Sequence, residues 1–483
     1  MKHNINVILS LLILVLPHTG CKKLVEVDGP TTSVNSANIY KSDATAASVL
    51  TGIYTKLSSE GVQNPSLTAI CYFTGLSSDE LTLINAVGNS QMKAFYGNSL
   101  GAQVAGFEFW EKIYSYLYII NGSIEGISSS KTLTPAVKQQ LLGEAKFMRA
   151  FCYFYLVNLY GNVPLALSTD YKTNTGLSRS PAKGVWDQIK TDLLDAQGLL
   201  SENYLDATLL KTTQEKVRPS KWAATALLAR AYLYTKDWSN AEQQATVVLN
   251  NPNYSLVSLE DVFKMNNSEA IWQLQPVVYN STAEGVAFKI EPDRSLSFTP
   301  SFLSNDLVSS FENGDQRKIS WIGSATIEGV NYNFPNKYKI GLDPDAPISE
   351  YSTVLRLAEQ YLIRAEARMQ QGKVSEGIAD LNIIRGRATD KTAPKTLQLK
   401  QLSNTLSNES ALLFVEHERQ TELFTEWGHR WLDLKRTNRI DQVMAIEAPN
   451  KVPMAVWKNF KQWYPISLSE LKKAVKLTQN EGY

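Results

Sequence analysis

The chain has few of the residues on which catalysis and metal binding most often depend. Among 483 residues there are only four histidines and three cysteines. Lys and Arg number 48 against 47 Asp and Glu, so the net charge is +1, and no block of like charge stands out. This balance argues against a polyanionic partner such as nucleic acid. At most one disulfide is possible if one cysteine is modified, so the core depends on packing.

Residues 1–20 have the pattern of a bacterial export signal. Lys2 precedes an apolar run over residues 7–16, which is too short to span a bilayer. Thr19 and Gly20 then precede Cys21, as in a lipobox, although His18 stands where leucine is usual. We predict cleavage before Cys21 and lipidation of its thiol, which would anchor the protein to a membrane. The alternative is plain secretion, with Cys21 as a free or paired thiol.

The mature chain divides into a short anchor and one large body. Residues 21–38 contain few large apolar side chains, which suits a lipid anchor and flexible tether. We predict a single domain over residues 39–483, with an N-terminal part at about 39–250 and a C-terminal part at about 251–483. Long segments rich in Asn, Ser, Gly and aromatics interrupt it at about 60–106, 251–345 and 390–410. One strand is predicted at residues 270–274.

Helical periodicity dominates the rest. An apolar stripe along residues 141–159 predicts one long helix, which Gly161 and Pro164 end. Another helical stretch covers residues 412–436. The predicted fold is therefore mainly α, with minor β structure in long irregular insertions.

Two segments repeat the same spacing of small residues. Ala229, Lys236 and Ala241 are separated by 7 and 5 residues, and so are Ala365, Gly372 and Gly377. This spacing approximates the tetratricopeptide pattern of paired helices. It predicts helical hairpins that stack into a superhelix.

Three patterns that suggest catalysis or metal binding are weak. His417-Glu418 lacks the second histidine of a zinc motif, because Thr421 stands in its place. The sequence Gly97-Asn98-Ser99-Leu100-Gly101 lacks the strand that precedes a nucleophile elbow. Among the carboxylates Glu416, Glu418, Glu422 and Glu426, Glu422 stands i,i+3 from Arg419 and Glu426 stands i,i+4 from Arg430, which predicts ion pairs within one helix. We therefore predict a protein with no catalytic residues, metal or cofactor.

Aromatic residues are plentiful, with 22 Tyr, 16 Phe and 10 Trp. Exposed rings stack on the apolar face of a pyranose, while Asp, Asn and Arg fix its hydroxyls. We expect two or three ligand contacts among ten residues in the irregular segments: Tyr72, Phe73, Asp79, Asn89, Phe95, Tyr96, Asn98, Trp272, Tyr279 and Trp321.

One long motif resembles a known family. Residues 143–151 read GEAKFMRAF, YF follows at 153–154, and LYGNVPL covers 159–165. Together with Glu418-Arg419 and Trp427-Gly428-His429-Arg430-Trp431, this is similar to the hallmark blocks of the SusD/RagB family of nutrient-binding outer-membrane lipoproteins. The likeness extends over the whole mature chain.

The resemblance implies a tetratricopeptide-like superhelix that carries a ligand-binding face. It also implies a location on the cell surface and a partner, a TonB-dependent transporter of the SusC type, which the lipoprotein covers as a lid. Family members usually capture oligosaccharides or polysaccharides in Bacteroidota, and one branch handles peptides. Peptide capture, a protein-interaction scaffold and a hydrolase remain the alternatives. The hallmark residues are scaffold, so no binding residue carries over from the family.

Overall fold

The computed structural model describes residues 36–59, 69–84, 87–103 and 107–483. The predicted signal peptide, Cys21 and most of the predicted tether lie outside the described residues. The helices are α1 Ser36–Ile39, α2 Asp43–Ser59, α3 Ile70–Ser77, α4 Ser90–Tyr96, α5 Phe107–Ser129, α6 Pro135–Tyr160, α7 Tyr171–Asn174, α8 Ala182–Leu199, α9 Lys221–Tyr234, α10 Trp238–Leu249, α11 Ala283–Phe288, α12 Asn305–Ser310, α13 Gln316–Trp321, α14 Leu357–Gln370, α15 Val374–Arg387, α16 Asn408–Leu423, α17 His429–Arg436, α18 Ile440–Lys451 and α19 Leu468–Lys473.

The described strands form three small antiparallel pairs. They are β1 Leu81–Leu83, β2 Ala270–Leu274, β3 Ser301–Leu303, β4 Ile322–Ile327, β5 Val330–Pro335 and β6 Ser352–Arg356. Strand β1 pairs with β3, β2 with β6, and β4 with β5. The pair β2–β6 joins the two ends of a long insertion, so the chain leaves and re-enters the helical body at one place. The predicted strand at 270–274 is confirmed.

Helix α6 is the central helix of the body. It packs against α5 on one side and α8 on the other. Its predicted apolar stripe is buried, and so are most of its other apolar side chains. The helix ends at Gly161, whose φ of 74° lies in the left-handed region that glycine adopts without strain. The predicted helix and its end are confirmed.

Two helical hairpins occupy the predicted repeats, α9 with α10 and α14 with α15. Helix α10 packs on α14, so hairpins that are far apart in sequence stack directly. The turns match: Lys236 has a φ of 60° and Gly372 a φ of 79°. Glycine is required at position 377 because α14 and α15 approach closely there: an added Cβ would lie 2.8 Å from the carbonyl oxygen of Ala365. The predicted mainly α fold with stacked hairpins is confirmed.

The third predicted helix is broken in two. Helix α16 ends at Leu423 and α17 begins at His429. Between them Thr425, Trp427 and Gly428 all have positive φ, at 53°, 45° and 76°. The bend lets the Trp427 indole donate a hydrogen bond to the carbonyl oxygen of Thr353 at 2.9 Å. Tertiary contacts therefore override a continuous helical pattern.

Cys71 and Cys152 are both buried and form no disulfide with each other, which suits small apolar side chains in a core. One hydrophobic cluster contains residues from Ala46 to Leu477. Among the described helices, none combines the length and the apolar character needed to cross a bilayer.

Candidate ligand-binding surface

Six of the aromatic residues predicted to contact ligand lie in the core. Tyr96 is 5% exposed, and the other five are completely buried: Tyr72, Phe73, Phe95, Trp272 and Trp321. A ring packed on both faces offers no surface to a sugar. These six residues are therefore core residues rather than ligand contacts, and this corrects the expectation from the sequence.

The packing of these rings explains the difference. Phe73 and Phe95 have ring centroids 4.6 Å apart. Trp272 packs edge-on against Phe147 and Phe151 of α6, at 5.0 and 5.3 Å. The segment that we predicted to be irregular contains α3, β1 and α4, and every residue of α3 is buried. The aromatic residues of this segment pack on one another in the core.

The three predicted polar companions have structural roles. The Arg430 guanidinium donates to both carboxylate oxygens of Asp79, at 2.9 and 2.6 Å. The amide of Asn98 donates to the carbonyl oxygen of Ser77 at 3.2 Å. Asn89 is exposed and caps α4, because its side chain accepts from the backbone N–H of Met92. Because Asp79 and Asn98 are buried, they are not part of the candidate site.

Tyr279 is the one predicted aromatic residue that lies on the surface. It is 58% exposed, and Val277 and Val278 directly before it are 47% and 38% exposed. Phe298, in the same insertion, is 59% exposed. We call Val277, Val278 and Tyr279 the Tyr279 surface. It joins an exposed ring with two apolar neighbours, which is the chemistry expected of a sugar-stacking surface.

A built turn holds Tyr279 in place. Tyr279 and Asn280 have φ of 59° and 53°, consecutive left-handed conformations; asparagine tolerates this region, but for Tyr279 it costs about 1–2 kcal/mol. The Asn280 amide donates to the carbonyl oxygen of Pro344 at 3.1 Å. The Ser281 hydroxyl donates to the carbonyl oxygen of Tyr279 at 2.9 Å. Strained backbone that the surroundings stabilise is typical of functional sites.

The base of this turn is rigid. The Thr282 side chain caps α11 by accepting from the N–H of Gly285 at 3.0 Å. An added Cβ on Gly285 would lie 2.2 Å from the carbonyl oxygen of Ile340, so α11 packs tightly on the segment that contains Ile340. Glu284 is buried and accepts from the Ser352 hydroxyl at the start of β6. Burial raises the pKa of Glu284 to about 7.

A cavity of about 280 Å³ adjoins the Tyr279 surface, because Val277 belongs to both. Its walls come from α2, from the loop at 205–218 and from the segment that follows β2. Small-ligand sites commonly combine such a partly apolar cavity with a few fixed polar groups. The cavity and the exposed ring together form a continuous candidate site.

The polar floor of the cavity is fixed by hydrogen bonds. Glu144 accepts from the Tyr54 hydroxyl at 2.9 Å and from the Arg218 guanidinium at 2.5 Å. Arg218 also donates to the Thr51 hydroxyl at 2.6 Å. Burial and the Glu144 carboxylate raise the pKa of Tyr54, so its hydroxyl remains a donor. These groups hold one another in place and leave the cavity floor without a free acid or base.

The carboxylates of α16 form ion pairs between elements rather than within one helix. Glu422 is buried between the guanidiniums of Arg317, Arg356 and Arg387. Burial alone would raise the pKa of Glu422, but these three cations hold it well below its usual value. Arg419 pairs instead with Asp433 at 2.7 Å. The predicted intrahelical pairs are wrong, because each of these side chains meets an opposite charge on another element.

Other carboxylates of this group are also held by cations from elsewhere. Glu418 accepts from Arg317 and Arg385, at 2.5 and 2.9 Å. Glu426 accepts from Arg356 and Lys337, at 2.7 and 2.5 Å. Buried and fully paired carboxylates act as structural cross-links. Over the described part of the chain, no group of three His, Cys, Asp or Glu residues is placed to hold a metal ion.

Val277 and Val278 were not among the sequence-predicted contacts. The sequence did contain a signal for this turn, because Pro276 and Asn280 enclose three large apolar residues. A turn whose centre is apolar exposes those side chains to solvent.

Comparison with known families gives two matches that follow one another along the chain. A family model described as starch-binding associating with outer membrane matches residues 33–233. A model described as SusD family matches residues 304–483. Among curated proteins, a SusD-like protein of Formosa agariphila is 23% identical, over 96% of this chain and 97% of its own length.

Solved structures have the same fold. A SusD superfamily protein from Bacteroides vulgatus superposes with a TM-score of 0.77 at 21% identity, covering 92% of this chain and 100% of the other. A laminarin-binding SusD-like protein gives a TM-score of 0.73, also at 21% identity, covering 92% of this chain and 100% of the other.

Proposed function

The chain belongs to the SusD/RagB family, and from that membership we propose that it captures glycans at the Tyr279 surface and delivers them to a TonB-dependent transporter of the SusC type. The observation that carries the choice of surface is the exposed Tyr279 ring beside a cavity with a fixed polar floor. The laminarin-binding neighbour supports a glycan rather than another nutrient.

Binding at this surface depends on ring stacking and on hydrogen bonds from the cavity floor. Shallow stacking on one or two rings gives weak binding to a single sugar unit, and a polymer gains avidity because neighbouring units rebind. The neutral net charge of the chain fits a neutral ligand.

Isothermal titration with laminarin, starch and a panel of peptides tests this proposal. Replacing Tyr279→Ala removes the ring, and we expect glycan affinity to fall about tenfold, equivalent to about 1.4 kcal/mol. Tyr171→Ala is the matched control, since Tyr171 is 70% exposed on α7, outside the surface. Equal losses in the two variants would contradict the site, and binding of peptides alone would replace the glycan with a peptide ligand.

A second variant tests the cavity separately from the ring. Thr55 lines the cavity from α2 and is itself exposed. Thr55→Trp fills the cavity, and we expect glycan affinity to fall while the unfolding midpoint stays the same. Unchanged affinity would confine the site to the exposed ring.

We also propose that the protein is anchored through lipidated Cys21 and serves as the lid of its transporter without cutting its ligand. Cys21→Ser should move the protein from the outer-membrane fraction to the soluble fraction. Affinity purification of the parent from outer membranes should recover a barrel transporter. Incubation with purified protein should leave glycan chain lengths unchanged, and shorter products would overturn the non-enzymatic assignment.

A further inference from the structure

A second cavity lies on the helical scaffold, away from the residues that form the Tyr279 surface. It has a volume of about 280 Å³ and is enclosed by α14, α16, α17 and the turn that follows α17. Roughly nine water molecules occupy that volume in the liquid, so the space is large enough for one sugar ring. No residue of this cavity belongs to the candidate site described above.

Arg419 presents unused donors in this cavity. Its side chain lines the space and is only 3% exposed. Its Nε donates to Asp433 at 2.7 Å, but its Nη1 and Nη2 have no hydrogen-bond partner among the described residues. Arg439 lines the same cavity, and its Nε also has no partner there. A buried guanidinium with unmade hydrogen bonds is costly, so these donors require oxygen acceptors.

Acceptors stand close to these donors. The Glu416 carboxylate lines the cavity and has only long contacts, at 3.3 Å to Arg430 and 3.4 Å to Arg439. Glu409 lines the rim and is exposed. A ligand here therefore meets both donors and acceptors, the requirement of a hydroxyl group, which does both.

The charge of the lining favours a neutral ligand over an anion. Four carboxylates line the cavity against three guanidiniums, Arg419, Arg436 and Arg439. Arg436 is already bound to Glu366, at 2.5 and 2.7 Å. An anion would be attracted by Arg419 but repelled by the extra carboxylate, whereas a neutral hydroxyl group would not be repelled.

The rim supplies an apolar contact. Leu412, Leu413 and Val415 line the cavity, and Leu413 is 51% exposed. A sugar ring presents C–H groups on one face and hydroxyls around its edge, which suits leucine on one side and Arg419 with Glu416 on the other. We propose that this cavity is a second binding site that takes a single neutral sugar unit, with Arg419 donating to two neighbouring hydroxyl oxygens.

Saturation-transfer NMR on the full mature chain tests the proposal, with methyl glucoside, methyl galactoside and methyl mannoside as neutral probes and acetate and sulfate as charged probes. Leu413→Trp fills the cavity from its exposed rim, and Arg419→Lys keeps the charge but removes the paired Nη donors. We expect Leu413→Trp to abolish binding of at least one sugar, and Arg419→Lys to weaken it at least fivefold. Leu397→Trp is the matched control, since Leu397 is 59% exposed in a short 3-10 helix elsewhere.

The outcomes separate this site from the proposed function. Sugar binding that survives Tyr279→Ala and is lost in Leu413→Trp supports the second site. Sugar binding unchanged by Leu413→Trp overturns it, and so does binding of acetate or sulfate without any sugar. A fall in polymer affinity in Tyr279→Ala alone would leave the proposed function standing and this inference refuted.

Discussion

Two irregular-looking segments of the chain use their aromatic residues in opposite ways. The described parts of residues 69–103 bury Tyr72, Phe73 and Phe95 completely, whereas the insertion at 275–300 exposes Tyr279 and Phe298 by more than half. Both segments are rich in turns and polar residues. The difference is that the first folds as helices α3 and α4, which pack on each other, while Tyr279 in the second stands on a strained turn. An aromatic residue in an irregular sequence therefore has no surface role unless the backbone presents it.

Removing one ring from each segment should sharpen this contrast most. Phe73→Ala leaves a cavity in the core, and we expect a loss of about 3–5 kcal/mol in the free energy of unfolding. Tyr279→Ala should change it by less than about 0.5 kcal/mol, because the ring is exposed. Urea unfolding followed by circular dichroism measures both. Comparable losses would show that Tyr279 is part of the core.

Removing one carboxylate from each segment tests the same contrast through charge. Asp79→Ala leaves Arg430 buried with only a weak contact to Glu416, so we expect a loss of about 3 kcal/mol. Asp293→Ala, at an exposed position, should have almost no effect. Burial opposes ionisation of Asp79, but Arg430 lowers its pKa below the usual value. The stability from this pair is therefore present at neutral pH and is lost as pH falls through that low pKa, so the parent and the variant should converge in acid.

Replacing Glu80 should raise the stability of the fold, and by less than Asp79→Ala lowers it. Burial raises the pKa of Glu80 to about 8, whereas its pKa in the unfolded chain is about 4.3. The loss of stability caused by burying the Glu80 charge is absent below about pH 4, grows as pH rises and is complete above about pH 8. Glu80→Gln removes it and keeps the acceptor for the N–H of Thr425, so we expect a gain on the order of 2 kcal/mol at pH 8 and none at pH 4.

Unfolding measured from pH 4 to pH 9 checks this sign. Glu291→Gln is the control in the other segment, because Glu291 is only partly buried and pairs with Arg294 at 2.9 Å. A gain in stability at low pH only would contradict the assigned direction.

The smallest effect concerns the turn below Tyr279. Asn280→Asp preserves a residue type that tolerates left-handed φ, and it replaces the donor to Pro344 by a carboxylate oxygen, which repels that carbonyl oxygen. We expect a loss of at most about 1 kcal/mol in stability and a two- to threefold loss of glycan affinity. Titration and urea unfolding on the same preparation measure both. Unchanged affinity would mean that the turn does not position the ring.

The sequence predicted the scaffold better than the site. The stripe on α6 and the spacing around Gly372 and Gly377 are local patterns that one helix imposes on itself, so they can be recognised along the chain. The burial of Phe95 and Trp272 depends on which helices pack against them, and the pattern of one segment does not contain that information. The break at Thr425 was missed for the same reason.

Of the aromatic residues predicted to contact ligand, Tyr279 alone remains in the candidate site. Its neighbours Val277 and Val278 are apolar residues that a composition-based argument assigns to the core. The partners of Glu422 come from three separate elements, so no spacing within α16 could predict them.

The pairing of β2 with β6 has an evolutionary consequence. The chain between these strands begins and ends on one antiparallel pair, in which Leu274 stands opposite Ser352. Because both ends are clasped together, the closure entropy of the intervening chain changes only slowly with its length. Evolution could therefore vary the length of the exposed loops in this stretch, whereas Arg317 and Trp321, buried in the same stretch, tie it to the helices and have to be kept.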